Sequence, residues 1–461
     1  MRPAYLLTTL ALGMGIIFPA ASAAAADGLG LDPFSTRDTL KPYTPCSAEV
    51  DATALGLTQV VDMALCANPQ TREAWANARA QAALLGVAEA AWLPTVSASA
   101  SSGRNRTNGV SNDQRTTSLT ASWLLFDFGA RSATIENARQ LLEAANATRD
   151  ATIQSVFLSA VQGFYQVQSA EASLAAALEA EKAAELSFKA ADAKYKVGAA
   201  APADKLQAQT AYSQAQLTRI TAEGALKTAK GSLATVLGRD AHRPVALATS
   251  EQAPPVDFER DGNALIEEAR QRRPDLLAAQ AQVKAAEASV NAARAAHLPT
   301  LSLGVTESDQ KLGSVDNRSG TLGLTLSVPL FTGFSTTYKV QSAEAQREAK
   351  LAQAEKLRLQ VAQDVWNAWQ SLLTATQTVR TTADLISSAE QSDKVARGRY
   401  GAGVGTLLEM LNAQSALASA RQQRVQALYN WNIARATLAQ SMGVLDANTI
   451  NAPGATEGRQ P

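Results

Sequence analysis

Few side chains of this 461-residue chain could take part in chemistry, and their spacing points to no enzyme. The chain has two histidines and two cysteines, too few for a metal site with several His or Cys ligands, so we expect no metal and no cofactor. The triplet Asp127-Phe128-Gly129 occurs in kinases, but neither a His-Arg-Asp motif nor a glycine-rich phosphate loop accompanies it. No nucleophile, base and acid form a recognisable set. We therefore predict that the chain is not an enzyme.

The two cysteines, Cys46 and Cys66, are predicted to face an oxidising compartment, because the chain begins with an export signal. Residues 1–23 combine Arg2, an apolar stretch and a small-residue cleavage site. In such a compartment a disulfide between the cysteines would persist, although two unpaired thiols remain the alternative. No cysteine follows the cleavage site where a lipid anchor would need one, so we expect an unlipidated exported protein.

Charge and composition narrow the range of functions. The 42 basic residues equal the 42 acidic residues, so the net charge is zero. A nucleic-acid binder would show a basic excess or stripe, and we predict no nucleic-acid partner. Aromatic residues make up only 5% of the chain, and much of its apolar share is alanine. These features indicate a mainly helical protein.

The chain contains one motif twice, at a constant offset. Pro69 matches Pro274, and 274 − 69 = 205. This shift, the repeat offset, also aligns Leu93-Pro94-Thr95 with Leu298-Pro299-Thr300, Tyr195 with Tyr400, Gly198 with Gly403, and Leu206 with Leu411. We predict a signal peptide (1–23), an N-terminal extended segment (24–56), a first repeat (57–241, strands about 94–126), a connector (242–261), a second repeat (262–443, strands about 299–331) and a C-terminal tail (444–461).

Each repeat is predicted to contain a helix, two strands, a very long helix and a second shorter helix. In the first repeat the helices cover about residues 57–92, 130–196 and 204–237. The long helix would span roughly 100 Å and the two shorter ones roughly 54 and 51 Å, at 1.5 Å per residue. The simplest packing places the two shorter helices end to end in a column antiparallel to the long helix.

Both long helices carry apolar residues at heptad spacing. In the second they are Val361, Val365, Ala368, Leu372, Ala375 and Val379. In the first the seam is Ile153, Phe157, Ala160, Phe164, Val167, Glu171, Leu174 and Leu178, with Glu171 as its one charged member. This seam fits the wall of a hollow cylinder, but an ordinary filamentous coiled coil would explain it equally well.

The strands favour a membrane protein over that alternative. Residues 321–328, 301–306 and 118–123 alternate between small or polar and apolar side chains, and residues 95–101 do so more weakly. Such strands could face lipid on one side and water on the other in a barrel wall. The polar stretches 105–115 and 309–318 are predicted to be loops outside the cell. An interfacial belt is predicted from the aromatic residues Trp92, Trp123, Phe126, Phe128, Phe331, Phe334 and Tyr338.

Four strands cannot close a barrel, and open strand edges are not tolerated in lipid. Two copies would supply eight strands, which leave an interior filled by side chains, whereas three copies would supply 12 and begin to leave a channel. Transport therefore favours a homotrimer in contact with outer membrane lipid.

Together these features resemble the TolC-like outer membrane efflux proteins over roughly residues 57–443. The resemblance implies an α+β membrane protein: a trimeric 12-stranded β-barrel, with four strands per chain, that continues into a long α-helical coiled-coil tunnel across the periplasm. It implies the Gram-negative outer membrane as location and the role of an exit duct. The implied partners are a periplasmic adaptor and an inner-membrane transporter of the ABC or RND type, which supplies the energy.

The resemblance also assigns roles to the two helix-connecting turns. Val197, Gly198, Gly403 and Gly405 match the periplasmic tips that meet the adaptor. Asp204, Tyr400, Glu409 and Asn412 match the gate, where an acidic residue at Asp204 pairs with the tyrosine at Tyr400. The family's arginine is replaced by Gly405 and its second acidic ring by Asn412, so only the Glu409 ring is expected.

Two other functions remain as alternatives from the sequence, namely a soluble periplasmic coiled-coil scaffold and the periplasmic adaptor itself. Neither explains why paired amphipathic hairpins occur twice at the repeat offset. The missing lipid anchor favours the type I protein-secretion branch of the family over drug efflux.

Overall fold

A computed structural model describes residues 32–36, 54–107, 109–243, 245–248 and 260–445. The predicted signal peptide, most of the N-terminal segment, much of the connector and nearly all of the tail lie outside the described residues. Cys46 lies outside them as well, so its bond to Cys66 stays a prediction.

Within the described residues the chain forms eight α-helices and four strands, in the same order in both repeats. The first repeat has α1 (Leu57–Ala67), α2 (Pro69–Glu89), β1 (Thr95–Thr107), β2 (Val110–Phe126), α3 (Ala130–Lys196) and α4 (Pro202–Val236). The second has α5 (Gly262–Arg272), α6 (Pro274–Ala295), β3 (Thr300–Leu312), β4 (Val315–Ser327), α7 (Ser335–Gly401) and α8 (Leu407–Ser441).

The first helix of each repeat is broken near its start, so the prediction of one helix over residues 57–92 is wrong. Asn68 has an extended backbone, and its side chain accepts a hydrogen bond from the Gln70 amide at 2.8 Å. Pro69 then begins α2, a position where the missing N–H costs nothing. Arg273 and Pro274 make the same break between α5 and α6.

The two 67-residue helices, α3 and α7, have the bounds and length that the sequence predicts for such a helix. Helix α3 packs against α1, α2 and α4, and also against α6 and α8. Helix α7 packs against α5, α6 and α8. Helices α6 and α8, called the α6/α8 column below, therefore lie between the two long helices. The length comparison predicts short helices beside one long helix and does not predict that they also contact the second.

Two hydrophobic clusters hold these helices together, and their residues obey the repeat offset. Val60, Val156 and Leu233 are buried in the first cluster. Their counterparts in the second repeat, Leu265, Val361 and Leu438, are buried in the second cluster. The heptad seam of α3 is buried from Phe157 to Val167, whereas Leu178 is 48% exposed.

The four strands form one antiparallel sheet in the order β1-β2-β3-β4. The predicted loops at 105–115 and 309–318 are wrong, because strand pairing continues to Thr107↔Val110 and to Leu312↔Val315. Backbone pairing does not depend on side-chain polarity, so strands continue where the apolar alternation stops. Among the described strands, β1 and β4 each keep one unpaired edge.

None of the described helices combines the length and apolar character needed to cross a membrane.

Candidate functional site at the helix-turn-helix tips

The two turns that the sequence singles out lie side by side at the ends of the long helices away from the sheet. One joins α3 to α4 and the other joins α7 to α8. A small apolar cluster connects them, with Ala191 and Ala208 from the first and Leu407 and Met410 from the second all buried. The structure therefore brings the predicted tip residues of both repeats together.

The first turn reverses the chain through Gly198, whose φ is +74°. Its N–H donates to the Tyr195 carbonyl at 3.0 Å, and the Ala199 N–H donates to the Lys194 carbonyl at 2.8 Å. These bonds satisfy carbonyls that the helix end would leave unpaired. Val197 is 78% exposed at the outermost point of the turn. Its position suits contact with another protein.

The second turn uses the same reversal at Gly403, with φ of +78°, and adds a close approach at Gly405. A Cβ atom on Gly405 would lie 2.9 Å from the Arg399 Cβ. Any side chain here would push the turn away from α7, which explains why glycine occupies this position. Thr406 then caps α8 by accepting the Glu409 amide at 3.2 Å.

Tyr400 contacts a lysine rather than the expected carboxylate. The Lys194 Nζ lies 3.9 Å from the centre of the Tyr400 ring and 3.5 Å from the Tyr400 carbonyl oxygen. An ammonium group over an aromatic face is attracted by the ring quadrupole. Within the described part of one chain, the side chain of Asp204 makes no hydrogen bond to Tyr400. Lys194 thus connects the ends of α3 and α7.

Asp192 connects α3 to α4 across the first turn. Its carboxylate contacts Lys196 of the same helix at 2.7 Å and Lys205 of α4 at 2.8 Å. Hydrogen bonds from Lys196 and Lys205 lower the pKa of the Asp192 carboxyl below its ordinary value of 3.8. The same carboxylate raises the pKa of the Lys205 ammonium. The pair is therefore fully charged at neutral pH.

The remaining predicted gate residues are placed at the start of α4 and α8. Glu409 and Asn412 are both exposed near the start of α8, and Asp204 is half-buried in the first turn of α4. Asp204 and Glu409 are counterparts in the two repeats, since 409 − 204 = 205. Of these two counterpart carboxylates, the one exposed beside the tip is that of Glu409.

Sequence reasoning missed Asp192, Lys194 and Lys205. The four-residue spacing of Asp192 and Lys196 could have suggested the pair within α3. The contacts to Lys205 and Tyr400 cross between helices, and no local spacing reveals them.

At the other end of the helices, the first strand-to-helix junction is fixed by a buried arginine. Arg131 donates to the Asp127 carboxylate and to the carbonyls of Leu124, Leu125 and Ala91. Its guanidinium also lies 4.1 Å from the centre of the Trp92 ring. One side chain therefore joins β2, α3 and the end of the segment that follows α2.

The second junction has the same turn without the ion pair. Thr332 and Thr336, the counterparts of Asp127 and Arg131, share a hydrogen bond of 2.9 Å between their hydroxyls. The aromatic residues predicted to form a belt are exposed at both junctions, from 40% at Trp123 to 76% at Phe331.

Comparison with known proteins matches this architecture. A family model described as outer membrane efflux protein matches residues 60–239 and again residues 265–444. The two matches start at positions related by the repeat offset, since 265 − 60 = 205. Protein CyaE of Bordetella pertussis is 33% identical over 438 residues, which are 93% of this chain and 92% of that protein.

More distant relatives share the fold. Outer membrane protein TolC of Escherichia coli is 23% identical over 421 residues, covering 86% of this chain and 84% of that protein. The crystal structure of the CmeC outer membrane channel of Campylobacter jejuni has a TM-score of 0.76 at 19% identity, covering 84% of this chain and 85% of that one. The predicted fold class, a four-stranded contribution to a barrel that continues into a helical tunnel, is confirmed.

Proposed function

Because the chain belongs to the outer membrane efflux protein family, we propose that it is the exit duct of a tripartite export system. In this system an inner-membrane transporter of the ABC or RND type delivers small molecules or unfolded protein, and a periplasmic adaptor joins the transporter to the duct. The observation that carries the proposal is a sheet with two open edges, continuous with two 67-residue helices in one chain.

Membership of the family establishes two general properties of the protein. The protein is a passive outer membrane channel rather than an enzyme, and it resides in the Gram-negative outer membrane with a helical extension into the periplasm. A soluble scaffold or adaptor, the alternative left open by the sequence, is thereby excluded.

The homotrimer is supported by the surfaces that one chain leaves uncovered. Helix α4 buries only Ala208, Leu233 and Ala234 among its 35 residues, and most of α7 is exposed. Within the chain the α6/α8 column fills the groove between α3 and α7. The α2/α4 column is the counterpart of that column in the first repeat, so it can fill the equivalent groove between α7 of a neighbouring copy and its own α3. Three copies then supply 12 strands.

The tips are proposed as the periplasmic entrance. Val197, Gly198, Gly403 and Gly405 form the outermost turns and are proposed to contact the adaptor. Lys194 and Tyr400 hold the ends of α3 and α7 together, and Asp192 holds α4 to α3. Opening requires these contacts to break. Three Glu409 carboxylates near the axis would attract cations into the entrance.

The function is tested by photocrosslinking in cells that carry the full export system. A cysteine at Val197 or Val404, each exposed at a tip, would be labelled with a photoreactive maleimide in a variant where Cys46 and Cys66 are replaced by serine. We expect both positions to capture a periplasmic adaptor. A cysteine at Val87, an exposed residue of α2 far from the tips, serves as the control.

Conduction is measured on the same protein in planar bilayers. A detergent-resistant trimer that conducts ions and captures the adaptor at its tips supports the duct. A monomer that does not conduct, or adaptor captured equally at Val87, contradicts it.

A further inference from the structure

All nine charged residues of the sheet lie on one of its two faces. The strand register places side chains in rows across β1 to β4, and successive rows alternate between the faces. The rows on one face carry no charge from end to end. The other face holds Arg104, Arg106, Asp113, Arg115, Glu307, Asp309, Lys311, Asp316 and Arg318.

The charged face is the outer face of the barrel wall. Along β2 the side chains of Gln114, Thr116 and Ser118 are half-buried, whereas those of Arg115 and Thr117 are exposed. A curved sheet covers its concave face more than its convex face. The charged residues also share their face with an apolar row, Ala121, Val305 and Leu322, that directly precedes the Glu307 row. The charged rows therefore begin where the lipid-facing rows end, towards the hairpin turns.

This distribution is the reverse of what a barrel in hydrocarbon requires. Charged side chains on a lipid-facing surface are destabilising, whereas the lumen is aqueous and accepts charge. If the turn end of the sheet stood free in water, both faces would be hydrated, and nothing would concentrate the charges on the outside. A charged medium outside the barrel at this level explains the asymmetry. The head-group layer of the outer leaflet is such a medium.

Arg115 and Lys311 indicate which charge that medium carries. They are directly opposite one another in the β2–β3 register, and both are exposed on the outer face. Like charges at directly opposed positions destabilise a sheet unless a counter-charge lies between them. The Arg115 guanidinium forms no salt bridge with any described residue; Asp113, two residues away on the same face, attracts it at longer range but is bonded to Arg104. Lys311 has one carboxylate, Asp316, at 3.5 Å on the side of β4. An external anion between the two side chains would supply the counter-charge that the register calls for.

The neighbouring ion pairs hold further cations in place around this pair. Arg104 contacts Asp113 at 2.8 Å in the next row towards the turns, and Arg318 contacts Asp309 at 3.3 Å in the row below. These arginines remain more than half exposed, so each can share its guanidinium with a second acceptor. Five cations and four carboxylates occupy the face, and the unpaired excess is basic.

We propose, building on the trimeric barrel of the proposed function, that the outer face at the turn end binds phosphorylated glycolipid of the outer leaflet. Arg115 and Lys311 hold one sugar-linked phosphate between them, and Arg104 and Arg318 flank it. A barrel with this site would be stabilised most in a membrane whose outer leaflet contains glycolipid with phosphorylated sugars.

The test measures binding of lipid A to the purified, detergent-solubilised trimer by native mass spectrometry. Lipid A with both phosphates is compared with the same lipid after phosphatase treatment. The variant R115Q/K311Q removes the central pair. The control variant, K182Q/K227Q, removes the same charge from exposed helix lysines outside the sheet.

We expect the native protein and the K182Q/K227Q control to prefer phosphorylated lipid A. We expect R115Q/K311Q to bind it roughly 30-fold more weakly, the factor for about 1 kcal/mol per basic residue near an anionic surface. The outward pair Ala100 and Thr117 lies next to the site, and A100S/T117S shows whether the face tolerates substitution.

Two results would overturn the assignment. In the first, R115Q/K311Q keeps the phosphate preference of the native trimer. In the second, inorganic phosphate displaces lipid A at equal concentration, which would indicate a simple anion site. Both readouts use binding in detergent, so they are independent of conduction and adaptor capture. A trimer that conducts but ignores lipid phosphate leaves the duct intact and refutes only the glycolipid site.

Discussion

At the first strand-to-helix junction Arg131 joins three elements, whereas its counterpart at the second junction, Thr336, bonds only to Thr332. The backbone is the same in both, with two successive residues at positive φ: Phe128 and Gly129 in one, Gly333 and Phe334 in the other. One repeat thus fixes its junction with buried charge inside the chain. The other has no buried charge, and its Phe331 and Phe334 are more exposed, at 76% and 64%, than Phe126 and Phe128 of the first junction, at 53% and 49%.

The two repeats therefore share the path of the backbone but differ in the side-chain contacts that hold it. The first repeat supplies α3, which is packed on both sides within the chain, and the second supplies α7, which keeps an open face. The two tips also differ in their contacts. An ion pair between Asp192 and Lys205 links the helices of the first tip, whereas the second has the close approach of Gly405 to Arg399. Paired substitutions at equivalent positions therefore measure what each repeat contributes.

The largest effect is expected from R131A compared with T336A. Removing Arg131 leaves the Asp127 carboxylate buried and unpaired, which costs about 3–5 kcal/mol. T336A removes one neutral hydrogen bond, worth about 1 kcal/mol. Thermal unfolding of the detergent-solubilised protein checks this. Equal losses from the two substitutions would show that the junctions are energetically alike.

A smaller effect is expected from G405A compared with A200G at the equivalent position of the first tip. The new methyl group would lie 2.9 Å from the Arg399 Cβ and push the α7–α8 turn outwards, at about 1–3 kcal/mol. A200G should change stability by less than about 1 kcal/mol. Single-channel recordings should show more frequent openings for G405A only. Unchanged gating in G405A would mean that the second turn does not limit closure.

K194A should weaken closure by about 1 kcal/mol, because it removes the ammonium group that contacts the Tyr400 ring. The open state would become roughly fivefold more populated. The control is R399A, the counterpart of Lys194 in the second repeat, whose side chain is exposed. Channel open probability in planar bilayers distinguishes them, and the same value for K194A and R399A would rule out the Lys194 contact as a latch.

The pH dependence of the first tip follows from Asp192. Its pKa is lowered in the folded tip, so the stabilisation is present above the ordinary value of 3.8 and is lost as pH falls through the lowered pKa. D192N should therefore gate at pH 7 as the native channel does in strong acid. K205Q, which removes the link to α4, should act like D192N, whereas K196Q should act weakly. Native-like gating in K205Q would contradict the link.

The smallest effect is expected from the exposed carboxylates, and it concerns selectivity rather than stability. E409Q should reduce the cation preference of the pore, because one exposed carboxylate per chain is lost from the entrance. N412D should increase it by adding a second acidic ring. D204N, at the repeat equivalent of Glu409, should change it less, since Asp204 is half-buried. Reversal potentials in a salt gradient give all three values.

Much of the fold can be predicted from the sequence because it depends on local periodicity. The bounds of α3 follow from an uninterrupted helical pattern, and the exposed tips follow from Gly198 and Gly403. The break at Asn68 was missed because a single cap and Pro69 interrupt a pattern that otherwise continues. The charged strand ends were missed because alternation of polarity disappears when both faces are polar.

The location of the candidate site could be predicted from the sequence, but the contacts between its residues could not. The turn residues predict where the tips lie, and the structure places Glu409 and Asn412 close to the second turn. The contact of Lys194 with Tyr400 joins residues 206 positions apart, and no spacing within one helix encodes it. The repeat offset aligns Tyr400 with Tyr195, but the two rings have different lysine neighbours. The Lys205 Nζ lies 5.3 Å from the centre of the Tyr195 ring, so the alignment does not predict the contact of Lys194 with Tyr400.

The concentration of charge near the hairpin turns also has a kinetic consequence. To reach the far side of the membrane, each chain must carry five arginine or lysine side chains through the hydrocarbon layer. At about 2–4 kcal/mol each near the midplane, the barrier is on the order of 10 kcal/mol per chain. Unaided insertion into a lipid bilayer would therefore be slow. The finished barrel, once threaded, would be anchored against slipping back towards the periplasm by the same residues.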